Sequence, residues 1–96
     1  MRLISNKALK TFARVRRGAE TPLRAWRKRI EHGAYRSFAE LQQGFNGVDK
    51  VDDLYVFNVG GNKYRVICAI HFNRQMVFVR DVLTHAEYDL SRWRKQ

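Results

Sequence analysis

One glycine pair, set in a long two-residue alternation, constrains this chain more than any other feature. Tyr55-Val56-Phe57-Asn58-Val59 and the run from Asn62 to Phe72 flank Gly60-Gly61. β-Branched and aromatic side chains in alternation on either side of two glycines specify a hairpin, because glycine adopts the positive φ of a tight turn without steric cost. Met76 to Leu83 reads as a third strand, beyond a polar turn at Asn73-Arg74. The expected sheet is a three-stranded antiparallel meander, with Arg2-Leu3-Ile4 as a further candidate strand and helices over one face.

Register then sorts the side chains. A turn centred on Gly60-Gly61 sets Asn58 opposite Lys63, Phe57 opposite Tyr64 and Val56 opposite Arg65. Tyr55, Phe57, Tyr64, Val66, Cys68, Ile70 and Phe72 share one face, the expected core. Lys63, Arg65, Ile67, Ala69 and His71 share the other. With Asn73-Arg74 as the second turn, His71 pairs with Met76 and Ile67 with Arg80. A longer turn would drive Arg80 beside Cys68 in the core, where an unpaired guanidinium is costly. The shorter turn leaves Asp81 on the core side near the strand end, and it predicts Lys63, Arg65 and Arg80 as a cationic cluster on an open sheet surface.

Upstream the apolar period changes to about 3.6 residues. Ser5 is a candidate cap for a helix carrying Ala8, Leu9, Phe12 and Val15, which Gly18 would stop. Thr21 and Pro22 suit the cap and first position of a second helix, with Leu23, Trp26, Ile30 and Ala34 as its buried stripe. Ser37 and Glu40 have capping-box spacing before Leu41, and the stretch from Gln42 to Asp53 reads as a loop between two halves of one domain. A last helix should begin at His85, because Thr84 and Glu87 repeat the capping-box spacing. Its expected buried stripe is Ala86, Leu90 and Trp93. His85, Tyr88 and Arg92 fall on one face, with Asp89 four residues from His85.

Charge points to the partner. Nineteen Lys and Arg against nine Asp and Glu give +10 and a pI near 10.5, and residues 1–36 alone carry +9. So dense a charge on 96 residues implies a polyanion, nucleic acid first. Most of the helical Lys and Arg read as a solvated face with a general attraction to phosphate. Arg24, Arg27 and Lys28 are the expected RNA contacts there. The single cysteine, Cys68, excludes an intrachain disulfide and reads as a small core hydrophobe. No apolar run approaches the ~18 residues of a membrane span, and Met1-Arg2-Leu3-Ile4 lacks the layout of a signal peptide. One soluble, cytoplasmic domain over residues 1–96, with no membrane partner, is the expectation.

A helix that starts directly after the Arg80 strand brings His85 and Tyr88 to the rim of the cationic patch. Imidazole, phenol and guanidinium or ammonium groups suffice for RNA cleavage without a metal. A base takes the 2′-hydroxyl proton, an acid protonates the leaving 5′-oxygen, and cations stabilise the charge on the phosphorane. His85 is the candidate proton carrier, since imidazole changes charge near neutral pH. Tyr88 is a candidate acid or stacking surface, and Arg65, supported by Arg80 and Lys63, a candidate for transition-state charge. Helix-start histidines and tyrosines are also common as structural residues. Neither His32, His71 and His85 with Cys68 nor Gly60-Gly61-Asn62-Lys63 has the spacing of a zinc site or a phosphate loop.

The run Tyr55-Val56-Phe57-Asn58-Val59-Gly60-Gly61-Asn62-Lys63-Tyr64-Arg65-Val66-Ile67, with Val82-Leu83-Thr84-His85-Ala86-Glu87-Tyr88-Asp89, resembles the HigB family of bacterial toxins. Leu3-Ile4-Ser5-Asn6-Lys7-Ala8-Leu9 is similar to the family's usual opening. The resemblance implies the α+β fold of the RelE/ParE superfamily: a small twisted antiparallel sheet, N-terminal helices on one face and a short C-terminal helix. It implies the toxin of a type II toxin–antitoxin system, a metal-independent mRNA interferase without cofactor that cuts messenger RNA on the translating 70S ribosome. It also implies a HigA-type helix-turn-helix antitoxin, with operator DNA reached only through the toxin–antitoxin complex. By position it supports Asn62, Lys63 and Arg65 from the hairpin and His85 and Tyr88 from the last helix. Arg80 lies in the strand where related RNases also place a basic residue. RNA-binding roles fall to Asn62, Arg24, Arg27, Lys28 and Arg92. Two other readings stay open: a non-enzymatic basic module held to RNA or the ribosome by phosphate contacts, and a ParE-like inhibitor of DNA gyrase.

Overall fold

The computed structural model describes residues 1–4 and 7–90. Strand β1 (Arg2–Ile4) leads into helix α1 (Lys7–Val15), a 3₁₀ turn (Arg17–Ala19), and helices α2 (Glu20–His32) and α3 (Phe38–Gly44). Strands β2 (Asp49–Val51), β3 (Leu54–Val59), β4 (Tyr64–His71) and β5 (Met76–Thr84) follow, and α4 (His85–Asp89) comes last. The sheet order is β1-β5-β4-β3-β2. The expected α+β class is observed, but the sheet is mixed rather than wholly antiparallel, because β1 runs parallel to β5. Strand β2 forms inside the stretch expected to be loop. Val51 pairs with Leu54 across Asp52-Asp53, and Asp52 takes the positive φ of 55° that the tight turn needs.

The predicted hairpin forms on a longer turn than Gly60-Gly61 alone. Val59 pairs with Tyr64 and Asn58 with Arg65, two residues from the expected register. Gly60, Gly61 and Asn62 all have positive φ (69°, 61° and 80°), so the loop takes four residues, through Lys63. Asparagine is among the few residues that tolerate this region. A slip of two keeps every side chain on its expected face, since the side-chain period is two.

The β4–β5 pair departs from expectation in a more consequential way. His71 pairs with Met76 as predicted, but Ile67 pairs with Asp81 and not with Arg80, because a bulge interrupts the ladder between Ile67 and Cys68. Arg80 is the extra residue. From there to Thr84 every side chain of β5 changes face. Val82 enters the core opposite Val66, and Asp81 sits opposite Ile67 instead of on the core side. The bulge removes the buried carboxylate that a regular strand would have required.

One face of the sheet carries the core. Leu23, Trp26 and Ile30 of α2 and Leu41 of α3 bury against Tyr55, Phe57, Val66, Cys68 and Val77. The Phe57 ring meets Trp26 and Phe45 edge-on, with centroids 5.2 and 5.1 Å apart. Desolvation there pushes the Cys68 thiol well above its ordinary range, as befits a core hydrophobe. Some helical expectations shift. Helix α2 starts at Glu20, so Thr21 and Pro22 lie within its first turn, where proline's missing N–H costs nothing. Val15 and Ala34 are exposed rather than buried, and so are Ala86 and Leu90. Ser37 caps α3 by accepting from the Glu40 N–H at 3.2 Å. Ser5, Arg92 and Trp93 lie outside the described residues.

Val56 and Ile67 anchor a smaller apolar cluster on the opposite face, with Val51, Leu54, Leu83 and Tyr88 packed against it. That surface is therefore partly filled, not the open ledge expected from the alternation. None of the described helices is long and apolar enough to cross a membrane.

Candidate active site

The site forms where the β3–β4 loop meets the start of α4. The bulge brings Thr84 opposite Tyr64, so the residue after Thr84 reaches the hairpin loop. The backbone N–H of His85 donates to the Lys63 carbonyl at 2.9 Å, tying the helix start to that loop. The predicted capping box is complete: the Glu87 N–H donates to Thr84 Oγ1 at 3.2 Å, and the Thr84 N–H to Glu87 Oε1 at 2.8 Å. Glu87 also pairs with Arg16, at 4.0 Å, linking α4 to the end of α1.

Arg65 occupies the centre, and it is only 7% exposed. The sequence places it on a surface; in the fold Leu83 pairs opposite it and its guanidinium lies over the Tyr88 ring. Its Nη1 donates to the carbonyls of Asn62 (3.1 Å) and Tyr64 (3.3 Å), and its Nη2 to Asn62 Oδ1 (2.9 Å). Nη2 also lies 2.9 Å from Nδ1 of His85. The guanidinium stands over the Tyr88 ring, 5.4 Å from its centroid. Buried arginine is tolerated when its donors are matched in this way.

Those contacts fix the imidazole. A guanidinium can only donate, so Nδ1 of His85 is the acceptor and the ring proton of the neutral form lies on Nε2. Nε2 faces Asp89 Oδ2 at 3.3 Å, one helical turn away. His85 and Asp89 are both about half exposed, with side chains at 53% and 60%. A ring held on both nitrogens, buttressed on one side and open on the other, has the geometry of a positioned proton carrier.

The structure brings Asn62, Arg65, His85 and Tyr88 together, with the Lys63 backbone joined to them. The Lys63 side chain is exposed and makes no hydrogen bond or ion pair among the described residues, so it is the site's solvent-facing cation. Asn62 is turned onto Arg65. Arg80 is exposed on the bulge and has no polar contact with Arg65 or His85 among the described residues, which separates it from the predicted cluster. Arg24, Arg27 and Lys28 lie on α2, across the sheet from His85. Arg24 pairs with Glu20 at 2.6 Å and Arg27 with Glu31 at 3.3 Å, while Lys28 is exposed without such a partner among the described residues. With Lys10 and Arg14, Arg24 and Arg27 line a groove of about 420 Å³ between α1 and α2. Asp89 is the member the predicted site lacks; its four-residue spacing from His85 on one helix is the signal that finds it.

The profile of HigB_toxin, the RelE-like toxic component of a toxin-antitoxin system, matches residues 19–91. A protein named mRNA interferase toxin HigB from Escherichia coli K12 is 39% identical over 92 residues, covering 93% of this chain and 88% of its own length. An mRNA interferase HigB from Shigella flexneri shares the same identity and coverage. Another from Escherichia coli O6:H1 is 30% identical over 92 residues, 93% of this chain and 89% of its own.

Proposed function

This chain belongs to the HigB toxin family, the RelE-like toxic component of a toxin–antitoxin system, and from that premise we propose how its residues act. It is an mRNA interferase, an endoribonuclease whose substrate is messenger RNA and whose partner is an antitoxin. All 96 residues serve as a single RelE-like toxin domain. The 2′-hydroxyl of the cut nucleotide attacks the adjacent phosphorus. Its electron pair forms the new P–O bond, its proton passes to a base, and the 5′-oxygen leaves with the pair of the broken bond and is protonated. The ends produced are a 2′,3′-cyclic phosphate and a 5′-hydroxyl.

His85 moves the proton in this reading, Lys63 offsets the developing charge, and Arg65 holds the imidazole. The observation that carries it is the 2.9 Å approach of the Arg65 guanidinium to His85 Nδ1. Tyr88 supports Arg65 and offers its phenol edge for stacking. Cleavage takes place in the cytoplasm on translating ribosomes. There the basic groove between α1 and α2 meets ribosomal RNA by phosphate contact. A HigA-type helix-turn-helix antitoxin silences the toxin, and the pair reaches operator DNA through the antitoxin.

The test is to incubate the purified protein with messenger RNA, alone and with translating ribosomes, and to map new 5′ ends. New 5′-hydroxyl ends only with ribosomes, absent with His85→Ala, support the reading. Intact message under both conditions defeats it. Intact message with trapped gyrase–DNA complexes favours the ParE-like alternative.

A further inference from the structure

His85 has two nitrogens, and the site treats them unequally. Nε2 carries the ring proton toward Asp89, and Nδ1 is bare but covered by Arg65. A protonated nitrogen cannot take a second proton, so Nδ1 is the one basic atom of the neutral ring. We propose that Asp89 is a positioning residue that holds the proton of His85 on Nε2, and that Arg65 guards Nδ1 at rest and uncovers it when a substrate phosphate takes over its N–H. This rests on the interferase reading given above and names its reacting atom.

The handover has a physical direction. At rest Arg65 Nη2 donates to a neutral acceptor; a phosphate oxygen is an anionic one, and charge-assisted hydrogen bonds are roughly twice as strong. The half-exposed imidazole rotates aside to admit the phosphate, since Arg65 itself is nearly enclosed. The remaining Arg65 bonds, to Asn62 and Tyr64, keep the guanidinium in place during the exchange. Nδ1 then takes the 2′-hydroxyl proton while the 2′-oxygen pair closes on phosphorus. The 5′-oxygen leaves with the electron pair of the broken bond and takes a proton from water. The imidazolium that results has an N–H on each nitrogen, and the Asp89 carboxylate faces the one on Nε2. The hydroxide left by the water then removes the Nδ1 proton, restoring the neutral ring.

Imidazole ¹⁵N spectra of the full chain test this directly, with His32 and His71 as internal controls. The probe is a short 2′-O-methyl RNA, which has the phosphates but not the attacking hydroxyl. In the free protein His85 should show a bare Nδ1 and a protonated Nε2. Adding the probe should move the Nδ1 resonance of His85 and leave the other two histidines still. In Asp89→Ala the probe-bound ring should populate both tautomers, and kcat for cleavage should fall on the order of 10²-fold with KM unchanged. Asp89→Asn should retain more of the rate than Asp89→Ala, because its amide oxygen can still accept from Nε2 and hold that tautomer once Arg65 has left Nδ1. A protonated Nδ1 in the free protein, probe binding that leaves His85 unmoved, no probe binding at all, or an Asp89→Ala enzyme as fast as wild type would each overturn the proposal. If the wild-type protein leaves message uncut while the ¹⁵N pattern is as expected, the interferase reading fails and the proton placement stands.

Discussion

The two faces of the sheet use the same alternating strands for opposite ends. On one, Phe57, Val66 and Cys68 lie under α2 and α3 among apolar side chains, and the Trp26 indole N–H is buried there without a hydrogen-bond partner among the described residues. On the other, a small apolar cluster around Ile67 surrounds one guanidinium, and its donors are matched by a loop and a helix start. The first face supplies stability through area removed from water. The second spends some of its buried area on holding a charge still. Substitutions should therefore separate folding from cleavage according to the face they touch.

His85→Ala should show the sharpest separation: cleavage down by about 10²–10⁴-fold, with the melting temperature nearly unchanged because the side chain is half exposed. A large loss of stability would mean that the imidazole is mainly a strut. Phe57→Ala should do the reverse, costing about 3–5 kcal/mol by opening a cavity beside Trp26 and Phe45. Denaturant unfolding measures it, and the folded fraction should keep its specific activity. Arg65→Ala should cross the divide, losing cleavage along with about 1–3 kcal/mol as the acceptors on Asn62 lose their donor. If it leaves stability intact, the second face is less tightly built than its hydrogen bonds indicate.

Smaller effects sharpen the same contrast. Lys28→Ala on α2 should reduce the salt dependence of RNA binding by about one phosphate contact, without altering the rate at saturating RNA. A changed rate would connect the helical layer to the chemistry. A last effect belongs to Cys68. Burial raises the thiol's affinity for its proton in the folded chain, whereas the unfolded chain releases it above about pH 8.5. That contribution is whole below the unfolded range and declines as pH rises beyond it. Cys68→Ala should consequently lose less stability than wild type between pH 8 and pH 10, and parallel losses would argue against a buried thiol.

Which face each residue of β3 and β4 takes was legible because side-chain parity survives a slip of two at the Gly60–Lys63 loop. The length of that loop was not, since nothing in the alternation signals that Asn62 joins the two glycines at positive φ. The bulge left one trace in the sequence, Asp81 on the core side, which the regular register accepted as a strand-end position and which the bulge overturns. Strand β2 escaped because Asp49-Lys50-Val51 has a single apolar residue and no alternation to detect. The meeting of Arg65 with His85 could be reached from hairpin pairing and a capping box. The burial of Arg65 could not, because the four-residue loop turns Asn62 onto its guanidinium and the start of α4 brings His85 and the Tyr88 ring against it.

The bulged position carries a last consequence. Arg80 looks like a charge, yet in this fold it serves as a spacer: one surplus residue that sets the phase of everything downstream in the strand. Exchange of its side chain leaves that phase intact. A regular ladder that paired this residue with Ile67 would turn Leu83 inward, swing Val82 outward and carry the histidine one step past its carbonyl anchor, so the surplus at this point matters more than which side chain supplies it.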